Sequence, residues 1–295
     1  MTRAGAVRHA ASRAGVAGRR ARTRRPRGFT LVELVLVMVL VGIVGSLGAT
    51  FISRAIDMYR SSIVRAELSD QADVALRRLA RELAAALPNS ARVAIADGGT
   101  YLELVPVLAA GRYRAFASVS AEPAGNDPLD FYASPPDTSF QVVGPPVDVA
   151  AGSALVVYNL GTPAADVYSG NNRRTPTSTG AALATIVFDA AGASFPLASP
   201  DQRFFVVSTP VSYFCGPDGV VTRFSAYGWS ASQPTTGGGG LAAATTSRLA
   251  ANASACALAV DSGLANIGSV QLRLALTRGG ETVSLIQQVN VDATP

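Results

Sequence analysis

Six consecutive residues near the start of the chain place a glycine, an aromatic side chain and a carboxylate in front of a long apolar run. They are Gly28-Phe29-Thr30-Leu31-Val32-Glu33, and Glu33 is the only charged residue from Phe29 to Ile52. A charged side chain at the centre of a membrane helix costs about 2.5 to 3.5 kcal/mol. An ionisable residue in such a place predicts a function, so Glu33 is the first candidate.

Histidine chemistry is confined to the beginning of the chain. The only histidine is His9, so a chain cut before Phe29 would contain none. Such a chain would lack Ser–His and Cys–His catalysis and the commonest transition-metal ligand. No glycine-rich phosphate loop and no zinc-ligand spacing occur. We therefore expect no enzymatic activity, no cofactor and no metal, although an anchored enzyme that uses carboxylates stays open as an alternative.

Two cysteines, Cys215 and Cys256, lie far down the chain. If the segment that carries them is exported, an oxidising compartment would allow them to form a disulfide. The bond would close a loop of about 42 residues, which the chain-entropy estimate makes worth about 4 kcal/mol. The alternative is two separate buried thiols.

Two polar clusters are weaker candidates. Asn126, Asp127 and Asp130 offer three oxygen-bearing side chains, which falls short of the six to eight ligands of calcium. Asn171-Asn172-Arg173-Arg174 could contact a partner or a nucleic-acid backbone, but we interpret it as a solvated loop.

One aromatic cluster is a further candidate. Trp229 lies close in sequence to Tyr227 and Phe224. The three rings could form a binding surface, but packing in the core or in a hairpin is the simpler interpretation.

The positive charge of the chain is concentrated in its first residues. Nine arginines and no acidic residue precede Phe29, and removing these nine from the formal net charge of +5 leaves −4. A body of negative net charge has no general attraction to phosphate backbones, which argues against nucleic acid as a partner.

This basic leader, residues 1–28, has no apolar core of its own. An ordinary secretory signal has its apolar region before the cleavage site, whereas here the apolar run follows the expected cut and would stay as an anchor. Thr23-Arg24-Arg25 weakly resembles a twin-arginine signal, although Pro26 fits it poorly. An organelle transit peptide is the other alternative, because the leader is rich in arginine and lacks acids.

The apolar run is long enough to cross a membrane. Residues 29–52 would span about 36 Å as a helix, against a hydrocarbon core of about 30 Å. The arginines on the N-terminal side predict that this end stays cytoplasmic and that residues 53–295 lie outside. Gly42, Gly45 and Gly48 recur every three residues and either permit close helix approach or are ordinary membrane-helix glycines.

The helix is predicted to continue beyond the membrane to about residue 87, before Pro88. Its apolar residues recur with helical spacing, and charged residues occupy the positions between them. The apolar positions are Ile52, Ile56, Tyr59, Ile63, Leu76, Leu79, Leu83 and Leu87. We expect this stripe to pack on the domain that follows.

The coincidence of Gly28, Phe29, Glu33 and the apolar run resembles the processing site of type IV prepilins and pseudopilins. The resemblance implies cleavage between Gly28 and Phe29 by prepilin peptidase and N-methylation of Phe29. It also implies that Glu33 neutralises the free amine of an adjacent subunit in an assembled filament. Pairing with an ammonium makes a carboxylate tolerable in a low-dielectric bundle. Hydration of Glu33 near the membrane surface is the alternative.

Other parts of the chain are similar to a narrower group, the biogenesis protein O subfamily of minor pilins from the mannose-sensitive haemagglutinin pilus. The similar segments are the end of the helix from Ala66 through Ser90, Tyr213–Cys215, Thr222–Phe224 and Gly279–Glu281. The leader departs from the family pattern, because it is longer than the usual short basic leaders. A misassigned start codon or a real extension would explain that length.

After Pro88 the sequence changes to short β runs separated by turn residues, so residues 89–295 are predicted to form a β-rich globular domain. No helical crossover separates most runs, which favours an antiparallel sheet. Arg278-Gly279-Gly280-Glu281 predicts the turn of a closing hairpin. The predicted strands are Tyr101–Leu108, Ala154–Tyr158, Ala184–Phe188, Arg203–Val207, Val211–Phe214, Val220–Phe224, Cys256–Val260, Val270–Leu276 and Thr282–Val291.

These observations predict an α+β protein, in which a long N-terminal helix packs on a largely antiparallel sheet. We expect a leader at 1–28, an assembly helix at 29–52, an amphipathic extension at 53–88 and the extracytoplasmic body. The expected role is that of a minor pilin-like subunit in the bacterial inner membrane, with other pilins, prepilin peptidase and the assembly platform as partners. The alternatives are a type II secretion pseudopilin and a tip adhesin or DNA-uptake subunit.

Overall fold

The computed structural model describes residues 28–117, 126–261 and 267–292. It divides into two compact units, one ending at Asp57 and one beginning at Met58. The predicted leader lies outside the described residues except for Gly28.

A single helix, α1 (Leu31–Ala84), is the only long helix in the described part of the chain. In the first unit every described residue is exposed, and an 18-residue window of α1 has a mean hydropathy of 2.5. The three hydroxyl side chains there donate to carbonyls one turn back, Ser46 to Ile43 among them at 2.9 Å. By its length and hydropathy, this segment could cross a membrane. The bonds of the hydroxyl side chains to helix carbonyls fit that environment, because they leave few polar groups that need water.

In the second unit, α1 buries one face. Its buried residues are Leu68, Ala72, Ala75, Leu76, Leu79 and Leu83. The predicted stripe is therefore confirmed from Ala72 to Leu87, but it is wrong for Ile52, Ile56, Tyr59 and Ile63, which are 40 to 69% exposed. No strand of the described residues covers those four side chains, whereas the sheets cover the helix from Leu68 onward.

The helix ends three residues earlier than predicted. Beyond Ala84 the backbone bonds to a strand connection instead of continuing the helix: the Leu87 N–H donates to the Val105 carbonyl at 2.8 Å, and the Val107 N–H donates to the Ala85 carbonyl at 3.1 Å. The backbone of residues 85–87 is therefore paired with residues 105–107, although its side-chain pattern predicts helix.

Sixteen strands follow among the described residues, and every pairing between them is antiparallel. The predicted α+β class is confirmed. The strands are β1 (Arg92–Ala96), β2 (Gly99–Leu104), β3 (Val107–Tyr113), β4 (Ser139–Val143), β5 (Val147–Val149), β6 (Ala154–Val157), β7 (Arg173–Pro176), β8 (Gly180–Leu183), β9 (Thr185–Asp189), β10 (Arg203–Val207), β11 (Val211–Cys215), β12 (Val221–Ser225), β13 (Thr245–Ala250), β14 (Ala253–Asp261), β15 (Ile267–Arg278) and β16 (Glu281–Asp292).

Two sheets pack on the helix. One has the strand order β1-β2-β11-β12-β13 and the other β14-β15-β16. The buried face of α1 shares one core with Leu102, Tyr213 and Leu274, among others. The strand predicted over Val270–Leu276 lies within β15. Leu272, Leu274 and Leu276 are buried and Gln271 and Arg273 are exposed, but Ala275, on the same face as Gln271 and Arg273, is buried too.

A disulfide joins Cys215 at the end of β11 to Cys256 in β14, with 5.9 Å between the Cα atoms. It links the two sheets that cover the helix. The pairing agrees with the prediction and removes the alternative of two free thiols.

A second module is inserted between two neighbouring strands. Leu104 at the end of β2 pairs directly with Val211 at the start of β11, yet about a hundred residues separate them. Strands β3, β4, β6, β7, β9 and β10 of that insertion form a closed barrel. Its aromatic core includes Tyr113, Phe140 and Phe204, and none of the insertion's described residues belongs to the core that covers the helix.

The chain enters and leaves this barrel at one place. The Ser208 N–H donates to the Pro106 carbonyl at 3.0 Å, and Val207 of β10 pairs with Val107 of β3. The single strand predicted over Tyr101–Leu108 is therefore wrong: it is the end of β2 and the start of β3, separated where the chain turns into the barrel.

Candidate processing and assembly site

The predicted cleavage point lies just before the helix. Gly28, Phe29 and Thr30 are outside regular structure, and the Phe29 side chain is 77% exposed. A Cβ atom added to Gly28 would meet no atom within 4 Å. The fold of the described residues therefore gives no steric reason for a glycine at this position.

Thr30 is the N-cap of α1. Its Oγ1 accepts a hydrogen bond from the Glu33 N–H at 3.2 Å, and its carbonyl accepts one from the Leu34 N–H at 3.1 Å. A threonine three residues before a glutamate is the sequence signature of a capping box. The sequence signal was present, but the prediction assigned only an assembly role to Glu33 and missed this local role of Thr30.

Glu33 lies in the first turn of the helix, where the peptide dipoles favour a negative charge. Its side chain has no ion pair or hydrogen bond among the described residues. The carboxylate is thus compatible with the helix terminus and remains available to a cation from outside this chain.

Beyond Glu33 the helix presents an apolar surface all round. Val44 and Phe51 are 68 and 77% exposed, and added Cβ atoms at Gly42, Gly45 and Gly48 would meet nothing within 4 Å. An exposed apolar surface of this length requires lipid or other helices to cover it.

The weaker candidate sites have structural roles instead. The solvated-loop interpretation of Asn171 to Arg174 is wrong, because Asn172 is fully buried and Arg174 is 5% exposed. Arg174 donates to the carbonyls of Ala193 and Ser194 at 3.0 and 2.7 Å. Burial lowers the pKa of both arginines, and their donors satisfy loop carbonyls that would otherwise be buried without partners.

The aromatic cluster packs as predicted. Phe224 is buried, and the Tyr227 hydroxyl donates to Glu103 at 2.8 Å. Trp229 is half-buried and stacks on the Arg173 guanidinium, whose carbon lies 4.0 Å from the ring centroid.

The acidic cluster around Asp127 and Asp130 makes internal hydrogen bonds. Asp127 accepts from the Ser139 hydroxyl at 2.7 Å, and Asp130 accepts from the Tyr132 N–H at 2.8 Å. Among the residues that the structure describes, no group of three His, Cys, Asp or Glu side chains could hold a metal ion.

Several ion pairs that hold the body together were not predicted, because their partners are far apart in sequence. The buried Glu103 pairs with Arg92 at 2.6 Å, and Glu82 on α1 pairs with Arg223 on β12 at 3.1 Å. Burial raises the pKa of the Glu103 carboxyl, and the Arg92 guanidinium opposes that rise. No local spacing signals such pairs.

A family model described as the prokaryotic N-terminal methylation motif matches residues 23–49. The match includes the six residues around the expected cut and the first part of α1. No curated protein and no solved structure matches the chain. The match therefore concerns the N-terminal motif and not the body. The motif supports the type IV pilin and pseudopilin family, which is structural rather than enzymatic, and it indicates a pilin-like or pseudopilin subunit whose apolar helix is consistent with a single-pass membrane anchor.

Proposed function

We propose that this protein is a minor pilin-like subunit of a type IV pilus of the mannose-sensitive haemagglutinin type. Prepilin peptidase cuts it between Gly28 and Phe29, Phe29 is N-methylated, and the mature chain assembles through α1. The observation that carries this proposal is the methylation motif at residues 23–49 at the head of a 54-residue helix.

The geometry of the processing site supports the cut. A peptidase needs an accessible, extended segment, and Gly28 to Thr30 precede the helix with exposed side chains. Because no described contact requires Gly28, recognition by an enzyme is a sufficient reason for the glycine. The exposed carboxylate of Glu33 supports its role as partner of another subunit's terminal amine.

In this proposal, residues 1–28 are removed, 29–52 span the inner membrane, 53–88 extend the helix and 89–295 form the periplasmic body. The N-terminus is cytoplasmic, because the arginines of the leader precede the span. Other pilin subunits, prepilin peptidase and the assembly platform are the partners.

The first experiment is mass spectrometry of the intact protein and its N-terminal peptide from native membranes. The expected chain starts at Phe29 and carries one added methyl group. Gly28→Ala should leave the leader attached, whereas Gly45→Ala, at a glycine with equal free space, should be processed normally. A cut after the apolar run, or an uncut wild-type chain, would contradict the proposal.

The inserted barrel supports a minor position, because a large body hinders repeated stacking of subunits. Antibody labelling of purified filaments should then be sparse or confined to one end. Dense, even labelling along the filament would instead identify a major subunit. A type II secretion pseudopilin is the alternative that the motif does not distinguish, and loss of secretion without loss of pili in a deletion strain would favour it.

A tip adhesin or DNA-uptake role has one observation in its favour. At one end of the barrel, Phe116 and Tyr132 are 79 and 95% exposed and line a cavity of about 570 Å³. Competition binding with the Phe116→Ala and Tyr132→Ala variants tests this role. Arg174 is buried and Arg173 is half-buried against Trp229, which counts against this basic pair as a DNA-binding surface.

A further inference from the structure

Strand β16 is the outer strand of the sheet β14-β15-β16. It pairs with β15 over its whole length, from Arg278↔Glu281 to Ile267↔Asp292, without a register shift. On its other side, no backbone of the described residues pairs with it. The protein therefore has an open edge strand of twelve residues, about twice the usual strand length.

The direction of the free backbone groups follows from the hairpin turn. Gly279 and Gly280 both have positive φ, 60° and 84°, as a two-residue type I′ turn requires. Arg278 and Glu281 then form a hydrogen-bonded pair, and such pairs recur at every second residue. The residues between them point their N–H and C=O groups away from β15. These outward residues are Thr282, Ser284, Ile286, Gln288 and Asn290.

This edge lacks the features that usually prevent strand pairing. Natural edge strands carry lysines, prolines, bulges or inward charges that block added strands. Between Glu281 and Asp292, β16 has no charged residue and no proline, and its register is regular. Ile286, at its centre, is 63% exposed.

A groove of about 700 Å³ runs beside the edge, between β16 and α1. It touches four consecutive strand residues, Gln287 to Asn290. Since side chains alternate between the faces of a strand, contact with four in a row means that the groove meets the edge itself. From the helix, it is lined by Val74, Arg77, Ala80, Arg81 and Ala84.

The groove has both apolar and basic parts. Val74 is 59% exposed, and Ala80 and Ala84 leave room beside it. Arg77 pairs with Asp73 at 2.9 Å, whereas Arg81 makes no ion pair among the described residues. Arg81 suits the last turn of the helix by its charge, and its guanidinium remains open to a carboxylate.

We propose that the outer edge of β16 accepts an extended strand from a different protein, which places a carboxylate against Arg81 and small apolar side chains over Val74, Ala80 and Ala84. The five outward residues offer ten backbone donors and acceptors to that strand. Main-chain bonds of this kind provide affinity, and the groove provides specificity. The proposal does not depend on cleavage after Gly28.

The sequence of β16 argues against a second copy of this strand as the occupant, because it has no carboxylate between Glu281 and Asp292 to place against Arg81. Arg278 and Glu281 pair with Glu67 and Arg65 of α1, and the far end of β16 lies beside Ala84, so β16 and α1 run the same way. Antiparallel pairing of two β16 strands would set the two helix segments in opposite directions.

Site-specific photo-cross-linking of the full chain in its native cells tests the proposal. A benzoylphenylalanine is placed at Ser284 or Gln288, both outward on the edge, and in a control at Gln271. Gln271 is exposed on the same sheet opposite Gln288, but it lies in β15, both edges of which are paired. We expect the two edge positions to label one partner peptide at sites about four residues apart, within a segment that contains Asp or Glu.

Variants then test the edge and the charge separately. Gln288→Pro removes an outward N–H without removing a bond to β15, and Arg81→Glu reverses the charge in the groove. Each should lower the cross-linking yield from Ser284 at least tenfold, while Gln271→Lys and Arg60→Glu should leave it unchanged. Retention of the Cys215–Cys256 disulfide checks folding. Labelling of a second copy, equal labelling from Gln271, scattered sites or no labelled protein would each overturn the proposal.

Discussion

At the scale of single residues, Glu33 has a local role in the helix and, in the proposed filament, a second role between subunits. It lies three residues after its cap, Thr30, in the turn where the helix dipole favours an acid. It is also the only charged residue of an exposed apolar segment. The first role stabilises the helix terminus in one chain, and the second requires another chain to supply the cation.

Glu33→Gln should separate these roles. The glutamine keeps the N–H that bonds to Thr30 and keeps the length of the side chain, so processing should be normal. Removing one partner of a buried ion pair costs about 3 to 5 kcal/mol, so the amount of assembled filament should fall at least tenfold in electron micrographs. Asp70→Asn, at an exposed position of the same helix, is the control. Wild-type filament numbers with Glu33→Gln would refute the pairing.

Asp97 provides a pH test in the body. Its carboxylate accepts from the Gly237 N–H at 2.9 Å and from the hydroxyls of Tyr101 and Thr236. These bonds lower the pKa of Asp97 below its ordinary value of 3.8, with the Gly237 N–H as the largest cause. Because the folded-state pKa is lowered, the stabilisation is complete above pH 3.8 and is lost as the pH falls through the folded-state value.

The protection factors of the backbone amides in residues 234–240 against hydrogen exchange should therefore stay high at pH 5 and fall only below the ordinary pKa. Asp97→Asn should make this loop exchange faster at every pH. Asp148→Asn removes a similar carboxylate, which accepts from the Ala182 N–H at 2.8 Å, and should not affect the loop. Equal exchange in Asp97→Asn and the wild type would show that the Asp97 carboxylate does not hold this loop in place.

At the scale of elements, α1 is one helix with two environments. Up to Asp57 its residues are exposed and largely apolar, and from Leu68 one face is buried against two sheets. Two ion pairs join the second part of the helix to the sheets: Glu67 pairs with Arg278, and Glu82 pairs with Arg223. The buried apolar contacts carry most of the stabilisation, since such exposed or half-exposed ion pairs contribute little.

Leu79→Ala tests that burial. Leu79 is 2% exposed, so the substitution should destabilise the body by about 2 to 5 kcal/mol. Val74→Ala, one turn away on the exposed face, should change the free energy of unfolding by less than about 0.5 kcal/mol. Denaturant unfolding of the detergent-solubilised chain, followed by the fluorescence of Trp229, measures both. Similar values for the two variants would mean that the helix face does not hold the core.

The sequence predicted these elements unevenly. Helical periodicity predicted α1 to within three residues, and alternation in residues 270–276 predicted β15, because local patterns determine both. Strands β1, β4, β5, β7, β8 and β13 were missed, because they are short or lack alternation, as β8 (Gly180–Leu183) does. The cleavage and assembly residues follow from a local motif. The burial of Arg174 could not be predicted from a local motif, because the carbonyls that it bonds lie about twenty residues away in sequence.

At the scale of the whole molecule, the body is a helix-covering pair of sheets with a barrel inserted between β2 and β11. The two parts have separate cores. The proposed assembly through α1 uses the first part only. The barrel contacts the rest at several residues. It packs on Leu87, Tyr168 donates to the Ser90 carbonyl at 2.7 Å and stacks on Arg92, and Arg173 stacks on Trp229.

Deletion of the barrel should therefore leave a foldable subunit. Replacing residues 105–210 with Asn-Gly joins Leu104 to Val211, which are already paired. The loss of packing on Leu87 should cost about 1.5 to 3 kcal/mol, so the variant should be less stable but still form the Cys215–Cys256 disulfide. Mass spectrometry without reduction detects that bond. Free thiols in this variant, with an intact disulfide in the wild type, would show that the barrel is needed for folding.

The hydrogen bond of 3.0 Å between Ser208 and Pro106 shows that the two ends of the barrel lie side by side. The barrel could therefore be exchanged for another domain at this position. A domain whose own ends lie close together can be inserted into a hairpin without moving either strand. Lineages of this protein can then replace or enlarge the barrel while the helix and the two sheets stay the same. For the same reason, the junction is suited to the insertion of a foreign domain.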